Sequence, residues 1–417
     1  MDLRQTASLY RCKPFQRWAL ALTVAAGMAG CAETFLGIGD FFTGIGGTFD
    51  TVGSCLSPLE PIELNLLFDR GDPAPWEGAS AELTDAPQPD VLDVLEYEFG
   101  AEYVPAAFGV MRFFRVGLLN EGDVLLIEPL ADRASWVYLY DSDNVLISGY
   151  ELREFDGALR TVRVPVFEST RAAFLRLDLA FPSEVGEPVL RITRLFFPQL
   201  LTTKKQTVVL HFGGVDELRF RTGILRPTPV GAIEDPRVRQ AALDEFSSRF
   251  LDYDLTVLTD DDPPPAGEHS RVFIGPADLP GELFGLSERV DGGNLVRDDR
   301  ALVDADQFAL NLVATFGPET YGRALGAIAA HEMGHLLGLF HVADPDALMT
   351  GAQCQGAGLN PERLISRDFS FAPLTLATDY LDGRDRTAGY QNPDAYLLRT
   401  LGPATVESTR MARSDKP

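Results

Sequence analysis

Residues 331–341 read HEMGHLLGLFH and hold three of the five histidines in a chain of 417 residues. On a helix, positions four apart lie on one face a single turn from each other, so His331 and His335 can aim two imidazoles at one ion. Glu332 lies about 100° further round the axis, where its carboxylate reaches beside the ion without binding it. A helix running on past Gly338 would carry His341 away. Glycine accepts the left-handed conformation that ends helices, so the chain can turn back there and deliver His341 as a third ligand. Three nitrogen ligands with one open position describe a catalytic zinc site, since structural zinc is normally closed by four protein ligands.

This stretch resembles the His-Glu-x-x-His-x-x-Gly-x-x-His signature of the metzincin metallopeptidases at every fixed position. Asp346-Ala347-Leu348-Met349-Thr350 follows, and its wording and spacing resemble the methionine-containing turn of the matrixin branch. The resemblance implies that His331, His335 and His341 bind one catalytic Zn2+, that Glu332 is the general base, and that Met349 floors the site. Thr350 and Gly351 stand where matrixins usually carry tyrosine and proline, so the wall of the primary specificity pocket departs from the family. Matrixins also hold a structural zinc on upstream histidines. Only His211 and His269 lie upstream here, so that second site is expected to be absent.

The implied chemistry is hydrolysis of protein or peptide substrates by metal-activated water. An extended substrate would pair with an edge strand, for which 301–316 is the candidate. Because the histidines must be neutral to bind metal, activity should decline in acid. A rival reading is a lipid-anchored binding protein whose zinc domain is not catalytic. Glu332 speaks against it, because a merely structural zinc has no need of a base there. An exopeptidase or self-processing enzyme is a third reading.

The N-terminus places this chemistry. A basic stretch ending at Arg17 precedes thirteen mostly apolar residues, WALALTVAAGMAG, too few for a bilayer span of about 20 and suited to a secretory signal. Met28-Ala29-Gly30-Cys31 resembles the bacterial lipobox, which implies lipidation at Cys31. Ala32, rather than aspartate, follows, which points to the outer membrane. The expected location is therefore the bacterial cell envelope, with membrane contact through the lipid anchor only. Export favours oxidation, so Cys55 and Cys354 either pair in a disulfide or remain two buried thiols. A formal charge of −25 argues against nucleic acid as a partner. Aspartates at 260–262, 291, 298, 299, 304 and 306 are candidates for Ca2+, with solvated loop carboxylates as the alternative.

The rest divides by rhythm. Residues 1–30 read as the signal peptide and 31–60 as a glycine-rich tether. Residues 61–203 read as an all-β antiparallel sandwich, because MRFFRVGLL, DVLLIEPL, WVYLYDSDNVLISGY, RTVRVPVF, AAFLRLDLAF and PVLRITRLFF are β-rich runs split by turns. Residues 204–400 read as an α/β (α+β) metzincin-like catalytic domain with a mixed sheet and an active-site helix. In it TVVLHFGG, YDLTVLTDD and RVFIGP are strands, 301–316 is strand-like, Asp235-Pro236 starts a helix, and Pro318-Glu319 starts the motif helix. Further helices start near Asn360-Pro361 and Asn392-Pro393, and 401–417 reads as a disordered tail.

Overall fold

The computed structural model describes residues 90–405, apart from 99–103, 107–108, 130–133, 142–144, 153–158, 167–169, 180–187, 197–204, 223–224, 280–282, 343, 351–360 and 376–386. Cys31, Cys55 and Cys354 lie outside the described residues, as do the signal, the tether and 406–417.

Residues 90–196 form nine strands: β1 (Asp90–Glu98), β2 (Val104–Ala106), β3 (Gly109–Leu119), β4 (Asp123–Pro129), β5 (Ala134–Tyr140), β6 (Leu146–Glu151), β7 (Val162–Pro165), β8 (Thr170–Leu179) and β9 (Pro188–Phe196). They make two sheets, in the orders β1-β9-β4-β7 and β2-β3-β8-β5-β6. Every pairing in both is antiparallel. WVYLYDSDNVLISGY folds as a hairpin of β5 and β6: Tyr138 pairs with Gly149, and Asp141 Oδ1 accepts from the Val145 amide at 2.9 Å.

The second half opens with β10 (Gln206–His211), β11 (Val215–Leu218), β12 (Thr228–Val230) and α1 (Pro236–Arg249). Asp235 caps α1 by accepting from the Arg237 amide at 2.9 Å, with Pro236 in the first turn, where its missing N–H costs nothing. Next come β13 (Leu255–Thr259), β14 (Ser270–Gly275), β15 (Gly285–Ser287), β16 (Arg300–Asp304) and α2 (Asp306–Leu336). The chain continues through α3 (Pro361–Ser366), β17 (Ala372–Thr375), β18 (Thr387–Gln391) and α4 (Pro393–Leu401). A five-stranded mixed sheet runs β13-β10-β14-β16-β15, parallel except for the antiparallel β15. Among the described residues no helix is long and apolar enough to cross a membrane.

Three sequence expectations change. The strand read over 301–316 ends at Asp304, and helix begins at Asp306. A short apolar run fits a buried strand or a buried helix equally well, and here Asp304 decides the break, its carboxylate accepting from the Asp306 and Ala277 amides. The helix bends at Gly317 (φ 83°), directly before the expected start at Pro318. Second, the 301–304 strand is interior, and the sheet edge nearest the motif helix is β15. Third, the expected tail from 401 starts folded. Leu401 is buried, Pro403 bridges Tyr253, and the Ala404 amide donates to Asp252.

One apolar core joins these elements beneath the motif. It gathers Val208, Leu210, Val272, Ile274, Ala301 and Val303 from the sheet, Val238, Ala242 and Phe246 from α1, and Ala324, Leu325, Ile328, Met333 and Leu336 from the motif helix. Gly322 and Gly326 bring α2 close onto the α1 backbone at Val238 and Ala242.

Candidate metal centre

The last two turns of α2 carry His331, Glu332 and His335, and the helix stops at Leu337. Gly338 then takes φ 101°, which a side chain would strain, and an added Cβ would also run into the Asp291 carbonyl and Gly292. Its amide donates to the His335 carbonyl at 2.8 Å, and the Asp291 amide donates to the same oxygen at 2.9 Å. The helix end is thus satisfied partly from within and partly from the loop after β15. The chain doubles back and brings His341 under the helix.

The three rings converge. His341 Nε2 lies 3.2 Å from His331 Nε2 and 3.1 Å from His335 Nε2. All three offered ligand atoms fall within 4.8 Å of one another. Two of the rings are oriented from behind: His331 Nδ1 meets the Leu348 carbonyl and His335 Nδ1 the Leu339 carbonyl, each at 2.7 Å. A carbonyl only accepts, so both Nδ1 atoms carry a proton, and in the neutral ring each Nε2 then presents its lone pair. His341 has at most one N–H at Nε2 and can serve only one of them. A cation that prefers nitrogen satisfies all three. Tetrahedral zinc with bonds of ~2.1 Å separates its ligands by roughly 3.4 Å, close to the spacing found. The residues present therefore fit zinc.

Leu348 belongs to the turn that ends in Met349 and Thr350. Val342 donates to the Met349 carbonyl at 2.9 Å, and Leu348 to the Asp368 carbonyl at 2.8 Å. Met349 is buried, and its thioether lies against the helix backbone at Gly334.

Glu332 is 6% exposed. It lines the same cleft as the three histidines, together with Leu283, Gly285, Leu348, Leu364 and Arg367. Gly285, on the edge strand β15, lies so close that an added Cβ would sit 2.7 Å from Glu332 Cγ. Sequence reading gave no sign of this neighbour, since Glu332 and Gly285 are far apart in the chain. Leu364 from α3 and Arg367, whose Nε donates to the Pro345 carbonyl at 3.0 Å, line the cleft from outside the sequence motif.

The upstream histidines serve elsewhere. His211 Nδ1 pairs with Asp260 at 2.8 Å and its ring stacks on Phe273, 4.7 Å between centroids. His269 is half-buried and bonded to the Gly267 carbonyl and Arg271. The candidate calcium aspartates have protein partners: Asp261 pairs with Arg239 and Asp298 with Arg221, while Asp262 accepts from Thr259, Asp291 from Val296 and Asp299 from Ser270. Burial opposes ionisation of Asp260, but His211 and two backbone amides prevail and hold its carboxyl below the usual range.

Residues 271–357 match the peptidase family described as Matrixin. With the histidine triad, this match supports a zinc metallopeptidase of the metzincin type in the segment that carries the site. Among solved structures, an archaemetzincin from Methanopyrus kandleri is 15% identical over 39% of this chain and 88% of its own, with a TM-score of 0.25. A zinc-dependent peptidase from Methanocorpusculum labreanum is 14% identical over 39% of this chain and 95% of its own, also at 0.25. A family two carbohydrate esterase from Clostridium thermocellum is 9% identical over 44% and 64%, at 0.15. Likenesses this slight do not bear on function. No curated protein matches the chain.

Proposed function

We propose that this chain is a zinc-dependent endopeptidase in which His331, His335 and His341 hold the metal and Glu332 is the general base. The observation that carries the reading is the convergence of three Nε2 atoms in a cleft that also holds a buried carboxylate. Zinc bound there lowers the pKa of a water to ~7 and polarises the scissile carbonyl. Glu332 takes the proton from the attacking water and returns it to the departing amine. The Leu348 and Leu339 carbonyls hold the first two imidazoles in the tautomer that points Nε2 inward. The open side of β15 offers backbone pairing to an extended substrate, which favours cutting within chains over trimming their ends. Leu283, Leu348 and Leu364 receive an apolar side chain next to the cut.

We further propose that 61–203 is an accessory β-sandwich, that 204–400 is the catalytic domain, and that Cys31 carries a lipid tethering both to the bacterial outer membrane, where envelope or extracellular proteins are the substrates. The two antiparallel sheets support the first point; the N-terminal sequence supports the last.

Glu332→Ala should keep zinc and fold and slow casein cleavage by about 10²–10⁴-fold, the usual weight of a general base. Undiminished cleavage by a zinc-loaded variant overturns the assignment.

A further inference from the structure

Gly149 on β6 faces Tyr138 on β5 and leaves a gap in the row of side chains. Phe340 fills that gap from the other half of the molecule. A Cβ added at Gly149 would sit 2.6 Å from Phe340 Cζ, and the Phe340 ring lies 5.4 Å from Tyr138 and 5.6 Å from Trp136, centroid to centroid. Phe340 is the residue between His341 and Leu339, whose carbonyl orients His335. Its backbone is held as firmly as its ring. The Phe340 amide donates to Gln391 Oε1 at 2.8 Å, and its carbonyl accepts from Gln391 Nε2 at 3.0 Å. One side-chain amide thus pairs with both backbone groups of one residue, as a neighbouring strand would. Gln391 ends β18, is 2% exposed, and follows Tyr390, which bridges Val145 in the β5–β6 turn. These supports all lie outside residues 271–357, the segment that matches the peptidase family.

We propose that Gln391 is a positioning residue for the third metal ligand, with the β5–β6 hairpin as the wall against which the ligand loop is set. His341 stands beyond the helix end, on the loop that Phe340 anchors, whereas His331 and His335 lie within the helix. Ligands so placed depend on the groups behind them, and losing an outer partner commonly weakens metal binding 10–100-fold. The β half of the chain would then be part of the metal site rather than a separate appendage. The inference rests on the reading of the triad as a zinc site.

The test uses the full chain and two variants. Gln391→Met keeps length and removes both hydrogen bonds, while Phe340→Leu keeps an apolar side chain and empties the aromatic slot. Zinc affinity is measured by competition with a chromophoric chelator, and coordination by the visible absorption of the cobalt(II) form. The expected result is a zinc Kd raised about 10–100-fold with a changed cobalt spectrum in a protein that is folded by circular dichroism. If Gln391→Met does not fold, Phe340→Leu decides on the same two readings. Folded variants with wild-type zinc affinity and an unchanged cobalt spectrum overturn the positioning role. A wild-type protein that takes up no zinc overturns the zinc reading itself.

Discussion

At His331 and His335 the atom that settles the chemistry is Nδ1, because what it meets decides where the lone pair goes. Both meet backbone carbonyls, Leu348 and Leu339, that lie outside the helix carrying the rings. Sequence spacing could place the imidazoles on one face but could not say which tautomer they hold. Glu332 is similar: its position in the motif was legible, its contact with Gly285 was not. Asp299 is a buried polar residue whose cost sequence reading missed. Burial, and then the nearby Asp291 carboxylate, push its carboxyl well above the usual range, and Ser270 Oγ donates to it at 2.7 Å. The folded state therefore keeps this proton to a higher pH than the unfolded chain does. Its contribution to stability is complete below the unfolded value of ~3.9 and is lost as pH rises through the folded value. Asp299→Asn keeps the shape and has no charge to bury. Its Tm should exceed that of the wild type at pH 7 by a few degrees, roughly the effect of 1 kcal/mol, and the gap should close near pH 4. A gap that persists unchanged in acid counts against this account.

Among the elements, the caps of α1 and α4 were readable, because Asp235-Pro236 and Asn392-Pro393 act within three residues of themselves. The break between β16 and α2 was not. Residues 301–316 carry apolar side chains compatible with either period, and the arbiter is Asp304, which binds the amides of Ala277 and Leu279 on another segment. The strand pattern of 90–196 likewise hid a buried ion pair. Arg194 on β9 and Asp123 on β4 are 1% and 0% exposed, and Asp123 Oδ2 accepts from Arg194 Nη2 at 2.6 Å and from the Asn120 amide at 2.7 Å. Removing one member leaves the other charge buried and unpaired. Asp123→Leu should lose about 3–5 kcal/mol of stability, and adding Arg194→Met should recover much of it, since a matched apolar pair needs no charge partner. Urea denaturation of the two single variants and the double one checks this. Additive losses would mean that the pair is not coupled.

For the whole molecule, the ligand loop is a meeting point. The loop after β15 caps the end of the motif helix, Gln391 clamps Phe340, and Trp136 and Tyr138 enclose its ring. A metal gripped by this loop binds the folded state and finds no preformed site in the unfolded chain, so removing it should loosen the fold. Stripping zinc with a chelator should lower Tm on the order of 10 °C, as loss of a ligand present at about 1,000 times its Kd does in a domain of this size. Adding zinc back should restore it. A melting curve indifferent to both steps would remove the metal from the structural core of the protein. The sequence alone determined what depends on near neighbours: one helical turn between two imidazoles, a glycine that lets the chain reverse, caps that start helices, and alternation that makes strands. Tertiary structure alone decided which strand lies at the sheet edge, which carbonyl orients which ring, and which distant glutamine holds the third ligand in place. The reason is range, since those choices are contacts between segments tens to hundreds of residues apart, and no local pattern encodes a partner that only folding brings near.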